Sequence, residues 1–314
     1  MIYLILIISI IGIIFGADWL VSGSVSIARK FKVSDFVIGA AIVGIGTSMP
    51  ELLVSTIGAI DGNSAVAIGN IVGSNTYNIL GILGITAIFF PIAITKENLK
   101  FEIPFNIFVS ILVLLLTMNF FNKAPATLNR PDGLILLLVF TGYIWYSFHR
   151  DLKNKDLQKT TDLNERIWPA ILKVIIGLPV LILSCNFFVD YAVELAKKIG
   201  VKDEAIALTL IACGTSLPEL AASIAAAIKK NTQLALGNII GSNIFNATLI
   251  LGLSAQIMPL TSGGITIVDY LVMTAAAIIP LLLGFLEGKI GRLSGAIMFL
   301  SYVGYTWYLF NTVS

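Results

Sequence analysis

The chain is short of charged residues. Asp, Glu, Lys and Arg make up 12% of its 314 residues, about half of the roughly 25% found in soluble domains. It has one histidine and two cysteines, Cys185 and Cys213, and both cysteines lie in apolar segments, where we interpret them as packing residues. This scarcity excludes a zinc or copper site built on His and Cys, a disulfide framework, and a basic surface for nucleic acid.

Long apolar runs take the place of the missing charge. Hydrophobic residues make up 57% of the chain, and the mean hydropathy is +0.94. Apolar runs of this length are typical of membrane-spanning helices. The first run is too long for a signal-peptide core, so we expect it to remain as a span. We predict an all-α membrane protein with ten transmembrane helices, at 2–27, 36–59, 64–90, 103–120, 133–149, 168–195, 204–228, 232–259, 266–286 and 293–311.

The connections between these spans are short, apart from the segment 150–166. That segment carries nine charged residues without apolar periodicity, so it is predicted to link two five-helix units, 1–149 and 167–314. Lys and Arg are concentrated in the loops on the same side as this linker. Because positive charge marks the cytoplasmic side, we predict a plasma-membrane protein with a cytoplasmic linker and both termini outside.

Two stretches of the sequence resemble each other. Residues 44–51 read GIGTSMPE and residues 212–219 read ACGTSLPE, and a Gly-Asn-x-x-Gly-Ser-Asn motif follows each, at 69–75 and 237–243. The two copies keep one ungapped offset (219 − 51 = 168). Since each unit has an odd number of spans, the second enters the membrane from the opposite face. This is an inverted-topology repeat, which is common in secondary transporters.

The second span carries an acid beside a predicted break. Thr47 and Glu51 are four residues apart and share a helix face. Pro50 has no N–H for the carbonyl of Gly46, so we expect a bent or broken helix with the carbonyls of residues 44–47 free to bind a ligand. The seventh span repeats the pattern with Thr215, Pro218 and Glu219.

The third and eighth spans each carry a polar stripe at four-residue spacing. The stripes are Asn70, Ser74 and Asn78, and Asn238, Ser242 and Asn246. Together with the two glutamates they offer only oxygen ligands, which suit hard cations such as Ca²⁺ and Na⁺. Two ionised carboxylates inside a membrane repel each other unless a cation lies between them, and one divalent ion balances both charges. A single kinked helix or Gly-x-x-x-Gly motif is usually structural, but the duplication in register favours an ion site.

At these motifs the sequence resembles the calcium/cation antiporter superfamily, specifically the prokaryotic ten-helix type of the sodium/calcium exchanger branch, over nearly the whole chain. The resemblance implies a secondary antiporter that exchanges Na⁺ for Ca²⁺ by alternating access, without enzymatic activity or a cofactor. It also implies that spans 2, 3, 7 and 8 form an ion-binding core, across which spans 1 and 6 slide. We expect the transporter to function as a monomer.

The resemblance further implies which residues bind the ions. Ca²⁺ would be held by the carboxylates of Glu51 and Glu219 and by the carbonyls of Thr47 and Thr215. Ser74 with the Gly44 carbonyl would form one flanking sodium site, and Ser242 with the Ala212 carbonyl the other. The remaining matches are Asn78 and Asn246, which would line the middle of the pocket, and Ser48 and Ser216.

Two residues depart from this pattern or stand outside it. Many relatives have Asp where this chain has Asn246, so the pocket here would carry a charge of −2, which argues against K⁺ dependence. With more than two Na⁺ exchanged per Ca²⁺, transport would be electrogenic. Asp18, a carboxylate well inside the first span, could tune sliding or proton access, or it could be neutralised by a partner in the helix bundle.

Two alternatives remain open from the sequence, and a third is disfavoured. The nearest is an H⁺/Ca²⁺ antiporter that uses the same two glutamates. The second is an ion channel, although channels of this size usually assemble several chains around a pore. The third is an intramembrane protease, which would need paired aspartates or a Ser with a His in facing spans, and neither arrangement is present.

Overall fold

The computed structural model describes residues 2–118, 126–153, 167–198 and 213–313, and most of them are helical. We number the helices in chain order: α1 (Ile2–Phe31), α2 (Asp35–Thr47), α3 (Met49–Ile60), α4 (Ser64–Phe89), α5 (Asn98–Met118), α6 (Arg130–Lys153), α7 (Ile167–Lys198), α8 (Leu217–Ile228), α9 (Thr232–Ile257), α10 (Ile267–Glu287) and α11 (Arg292–Val313).

Eight of the predicted spans coincide with helices that are long and apolar enough to cross a membrane. Seven are single helices, and α2 with α3 forms an eighth, broken span. The seventh predicted span is described only from residue 213 onward, where α8 is a shorter apolar helix. The tenth coincides with α11, which is not among these eight. The protein is therefore a predominantly helical, membrane-type protein, and the total of ten spans stays a prediction.

The predicted division into 1–149, 150–166 and 167–314 also stays a prediction. Residues 154–166 of the linker lie outside the described part of the chain, and α6 continues to Lys153, past the predicted end of its span at residue 149. The polar start of the linker is therefore helical.

Two of the described helices, α4 and α9, lie at the centre of the structure, and α1 and α7 are among those at its edge. The apolar stretches of α4 and α9 are 83% and 94% buried, whereas those of α1 and α7 are 28% and 17% buried. A helix that is apolar all round must be buried or face lipid. The helices α1 and α7 pack tightly against each other through glycines: a Cβ at Gly16 would lie 2.6 Å from the amide nitrogen of Leu181.

Four two-residue strands, which the sequence did not predict, connect the two halves. The strands are β1 (Ile92–Ala93), β2 (Thr127–Leu128), β3 (Leu260–Thr261) and β4 (Lys289–Ile290). The first pairs with β4 and the second with β3, and both pairs are antiparallel. In each pair a loop of the first half satisfies the backbone groups of a loop in the second.

The break in the second span is present where the sequence places it. The helices α2 and α3 meet at an angle of 49°, and Pro50 lies in the first turn of α3. Wider π-helical turns interrupt three helices, at Gly39–Gly44, Tyr77–Leu83 and Asn246–Ile250. Such turns occur frequently at functional sites. These three turns contain Gly44, Asn78 and Asn246, which belong to the predicted site.

Candidate functional site

The two motif glutamates lie at the centre of the structure and are fully buried. Each is held by a serine of the opposite half. The Ser216 hydroxyl donates to Glu51 Oε1 at 2.9 Å, and the Ser48 hydroxyl donates to Glu219 Oε1 at 2.8 Å. Since each serine precedes its own half's glutamate by three residues, the crossed hydrogen bonds bring the two carboxylates together.

Four buried side-chain oxygens of the predicted site lack hydrogen-bond partners among the described residues. They are Oε2 of Glu51, Oε2 of Glu219, and the side-chain oxygens of Asn78 and Asn246. No ion pair formed between described residues includes either glutamate. Buried acceptors are costly when unsatisfied, and buried carboxylates more so. The cluster therefore has four oxygens available for a cation.

In each half an asparagine donates hydrogen bonds to the first turns of the helix that carries the glutamate, α3 or α8. Asn238 Nδ2 donates to the Glu219 carbonyl at 3.1 Å and to Ser223 Oγ at 2.8 Å. In the other half, Asn70 Nδ2 donates to the Glu51 carbonyl and to Ser55 Oγ, at 3.2 and 3.0 Å. The motifs in the sequence do not include Ser55 or Ser223. Their shared spacing of four residues after each glutamate is the signal that could have found them.

Two further asparagines, Asn75 on α4 and Asn243 on α9, join these helices, and no role was predicted for either from the sequence. Asn75 Nδ2 donates to the Asn243 carbonyl at 3.0 Å, and Asn243 Nδ2 donates to the Asn75 carbonyl at 3.2 Å. The same two side chains accept from the pocket asparagines: Asn78 Nδ2 lies 3.0 Å from Asn243 Oδ1, and Asn246 Nδ2 lies 3.1 Å from Asn75 Oδ1. All four residues are buried.

The carbonyl of Gly44 is not free, although the sequence predicts that it is. It accepts from the backbone N–H of Ser48 at 3.1 Å and from the hydroxyl of Ser242 at 3.2 Å. The resemblance groups Gly44 with Ser74, whereas the structure joins it to Ser242. The reason is the close packing of α2 on α9, where a Cβ at Gly44 would lie 3.0 Å from the Asn238 carbonyl.

The remaining predicted ligands occupy different environments. Thr47 is fully buried, and its hydroxyl lies 3.3 Å from Asn238 Oδ1. Ser74 is buried on α4, and Thr215 is half-buried in the turn before α8. Ala212 lies outside the described residues. The hydrogen bonds of the described residues therefore bring Ser48, Ser216 and the two glutamates together, and Thr47 joins them through Asn238.

Asp18 does not belong to this centre. Its carboxylate forms an ion pair with Lys229, at 2.6 Å, and its side chain is half exposed. Lys229 follows the last residue of α8, so the pair joins α1 to the end of that helix. Of the two sequence-based interpretations of Asp18, the structure supports neutralisation by a partner.

Three comparisons with known proteins show which family the chain resembles. The family model described as "Sodium/calcium exchanger protein" matches residues 1–149 and 169–311. The sodium/calcium exchanger MaX1 of Methanosarcina acetivorans is 30% identical over 98% of both chains. The inner membrane protein YrbG of Escherichia coli is 35% identical over 81% of this chain and 79% of its own.

A solved structure has the same fold. It is the sodium-calcium exchanger NCX_Mj soaked with zero Na⁺ and Ca²⁺, which is 32% identical, covers 97% of both chains and superposes with a TM-score of 0.82. The proteins named as exchangers are transporters rather than enzymes. The family model, the relatives and the fold agree along nearly the whole chain, which therefore belongs to the sodium/calcium exchanger protein family.

Proposed function

We propose that this protein is a secondary antiporter that exchanges Na⁺ for Ca²⁺ across the plasma membrane. In this proposal the chain functions as a monomer with both termini outside. Ten transmembrane helices form two inverted five-helix repeats, 1–149 and 167–314, joined by a cytoplasmic linker at 150–166. Exchange is electrogenic and independent of K⁺.

One observation carries the proposal. Two fully buried carboxylates, Glu51 and Glu219, share a centre in which no described cationic side chain pairs with them. Because burying uncompensated charge costs several kcal/mol per ion, a bound cation stabilises such a centre when both carboxylates are ionised. Ca²⁺ prefers oxygen ligands and balances a charge of −2, and Na⁺ is also a hard cation bound by oxygen.

The available oxygens supply the first ligands of the proposed site. The carboxylates hold Ca²⁺, the side-chain oxygens of Asn78 and Asn246 line the same pocket, and the carbonyls of Thr47 and Thr215 complete it. Ser74, Ser242 and the Gly44 and Ala212 carbonyls serve the flanking sodium positions. Since the hydrogen bonds from Ser48 and Ser242 already occupy both lone pairs of the Gly44 carbonyl, a sodium ion there displaces the Ser242 hydroxyl.

Alternating access is assigned to α1 and α7. These helices lie at the edge of the molecule and pack along each other. A cavity of about 470 Å³ separates part of α1 from α8, and apart from Asp18 and Lys229 its lining is apolar or contributed by Cys185. An apolar gap holds few specific bonds that sliding would break. The pair α1 and α7 can therefore shift across the carboxylate centre as one unit.

The test uses purified protein in sealed liposomes loaded with Na⁺ and diluted into Na⁺-free medium. Radioactive calcium uptake is followed while an ionophore clamps the membrane potential. We expect uptake that requires the sodium gradient, accelerates with an inside-positive potential and does not need K⁺. Uptake that follows a pH gradient and ignores sodium would assign the protein to proton coupling. Uptake without any counter-ion would indicate a channel, and uptake that does not respond to voltage would exclude electrogenic exchange.

A further inference from the structure

The polarity of four buried asparagine amides is fixed by the backbone. The carbonyls of Asn75 and Asn243 can only accept hydrogen bonds. Each accepts from the Nδ2 of the other residue, at 3.2 and 3.0 Å. Neither amide can therefore be turned around without placing an oxygen against an oxygen. The Oδ1 of each side chain is left facing its next neighbour.

These two oxygens in turn orient the pocket asparagines. Asn243 Oδ1 accepts from Asn78 Nδ2 at 3.0 Å, and Asn75 Oδ1 accepts from Asn246 Nδ2 at 3.1 Å. An amide whose nitrogen is held in this way has its oxygen on the opposite side. In both cases that oxygen is buried and has no partner among the described residues.

The unpartnered oxygens lie on elements that contact the glutamate helices of the other half. The π-helical turn Tyr77–Leu83, which contains Asn78, packs against α8, which carries Glu219. The turn Asn246–Ile250 packs against α3, which carries Glu51. The orientation of the amides therefore decides whether the pocket receives oxygen acceptors or N–H donors.

We propose that Asn75 and Asn243 are positioning residues that hold the amide oxygens of Asn78 and Asn246 toward the transported cations. This inference rests on the proposed cation site. It adds that the pocket's selectivity depends on residues that do not themselves contact the ion. Each half orients the pocket amide of the other, so that no N–H donor faces the cation.

The same network disfavours an ionised carboxylate at either pocket position. A carboxylate at position 246 would offer only acceptors to Asn75 Oδ1, and two facing acceptors repel. Asn75 and Asn243 therefore favour neutral amides at positions 78 and 246. With neutral amides there, the two glutamates alone set the charge of the pocket.

The test is a double-mutant cycle read by equilibrium binding of radioactive Ca²⁺ to the purified protein. Leucine has as many side-chain heavy atoms as asparagine and branches at the same carbon but has no acceptor, so Asn243→Leu frees the Asn78 amide to rotate. We expect Asn243→Leu to weaken binding roughly tenfold, the usual scale for one buried polar partner. In the background Asn78→Ala the same change should add little, because the residue through which it acts is already absent. The matched cycle uses Asn75→Leu and Asn246→Ala.

The control variants are Thr76→Val and Thr248→Val. Both hydroxyls are buried and donate within their own helix, to the Val72 and Ile244 carbonyls, so their loss should leave calcium binding unchanged. Thermal unfolding monitors whether each variant is folded. If a leucine variant does not fold, the alanine variant at that position takes its place in the cycle.

Three results would overturn the inference. The first is unchanged calcium binding in Asn243→Leu and Asn75→Leu. The second is a loss of equal size in the presence and absence of the Asn78 or Asn246 side chain, which would show an independent structural effect. The third is a wild-type protein that binds no Ca²⁺, which would remove the proposed function as well. In the first two cases the cation site would remain and only the positioning role would be lost.

Discussion

Around Glu51 and around Glu219 the same contacts recur, with the halves exchanged. A serine of the opposite half donates to each carboxylate, and an asparagine of the same half holds the carbonyl of each glutamate. At the edge this correspondence ends. Asp18 pairs with Lys229, but the residues 168 positions away, Asn186 and Asp61, cannot form that ion pair.

The difference between centre and edge follows from what each region must bind. A cation shared by two carboxylates requires similar ligands on both sides, so a change in one half alters the environment of the ion for both. The edge carries no shared ligand, and its residues need to satisfy only their local neighbours. Four sets of variants test this comparison, from the largest expected effect to the smallest.

Glu51→Gln and Glu219→Gln are expected to have the largest effect, and an equal one. Removing one partner of a buried charge interaction costs roughly 3–5 kcal/mol, which is about 150-fold to several thousand-fold in calcium affinity. Glutamine keeps the shape of the side chain, so Tm without calcium should not fall. Sodium-driven calcium uptake measures the loss. If one variant kept most of its uptake, the equivalence of the two halves would be broken.

Ser48→Ala and Ser216→Ala test the crossed hydrogen bonds. A hydrogen bond to a charged group contributes about 1.5–3 kcal/mol, so each variant should raise the KM for Ca²⁺ roughly tenfold or more. The effect should again be equal, because the two bonds are 2.8 and 2.9 Å long. The control is Thr76→Val, whose hydroxyl bonds only within its helix. A KM for either serine variant that matches this control would remove the serines from the site.

Gly237→Ala tests the packing that holds the centre together. A Cβ at Gly237 would lie 2.2 Å from the Phe36 carbonyl, and backbone of this kind cannot move aside cheaply. Overpacking costs about 1–3 kcal/mol, so Tm should fall by several degrees. Gly304→Ala is the matched change at the edge, where the residue is exposed and a Cβ would meet open space. Equal Tm values for the two variants would contradict the close contact of α2 and α9.

Asp18→Asn should have the smallest effect. The side chains of Asp18 and Lys229 are 51% and 32% exposed, and ion pairs with this exposure contribute roughly 0–1 kcal/mol. Any loss of Tm in detergent should shrink as salt is added, because salt screens the pair. A loss comparable to that of Gly237→Ala would show that the edge is as constrained as the centre.

The sequence predicted the parts of the fold that carry a strong local signal. Long apolar runs placed the described spans, and Pro50 placed the break between α2 and α3. The strands were missed because two residues have no periodicity to detect. Helix α11 is long enough to cross a membrane, but its glycine, tyrosine and serine residues lower its mean hydropathy. It is therefore not among the helices that are apolar enough to be identified as spans.

The candidate site was predicted as a set of residues but not as a set of contacts. The offset of 168 identifies equivalent residues, such as Asn75 and Asn243, without saying which of them meet across the two halves. The contact of Gly44 with Ser242 depends on how α2 packs on α9, and the crossing of Ser48 to Glu219 depends on how the break between α2 and α3 meets α8. That packing is a property of the three-dimensional arrangement and is not encoded at any single position.

The central claim is that the two carboxylates share one calcium ion, and the stoichiometry of Ca²⁺ binding tests it most directly. Equilibrium dialysis with radioactive calcium is carried out on the purified wild type, Glu51→Gln and Glu219→Gln in Na⁺-free buffer. The account predicts one Ca²⁺ per wild-type chain and no binding to either variant at the same concentration. Two Ca²⁺ per wild-type chain, with one retained by each variant, would show two separate sites and contradict the account.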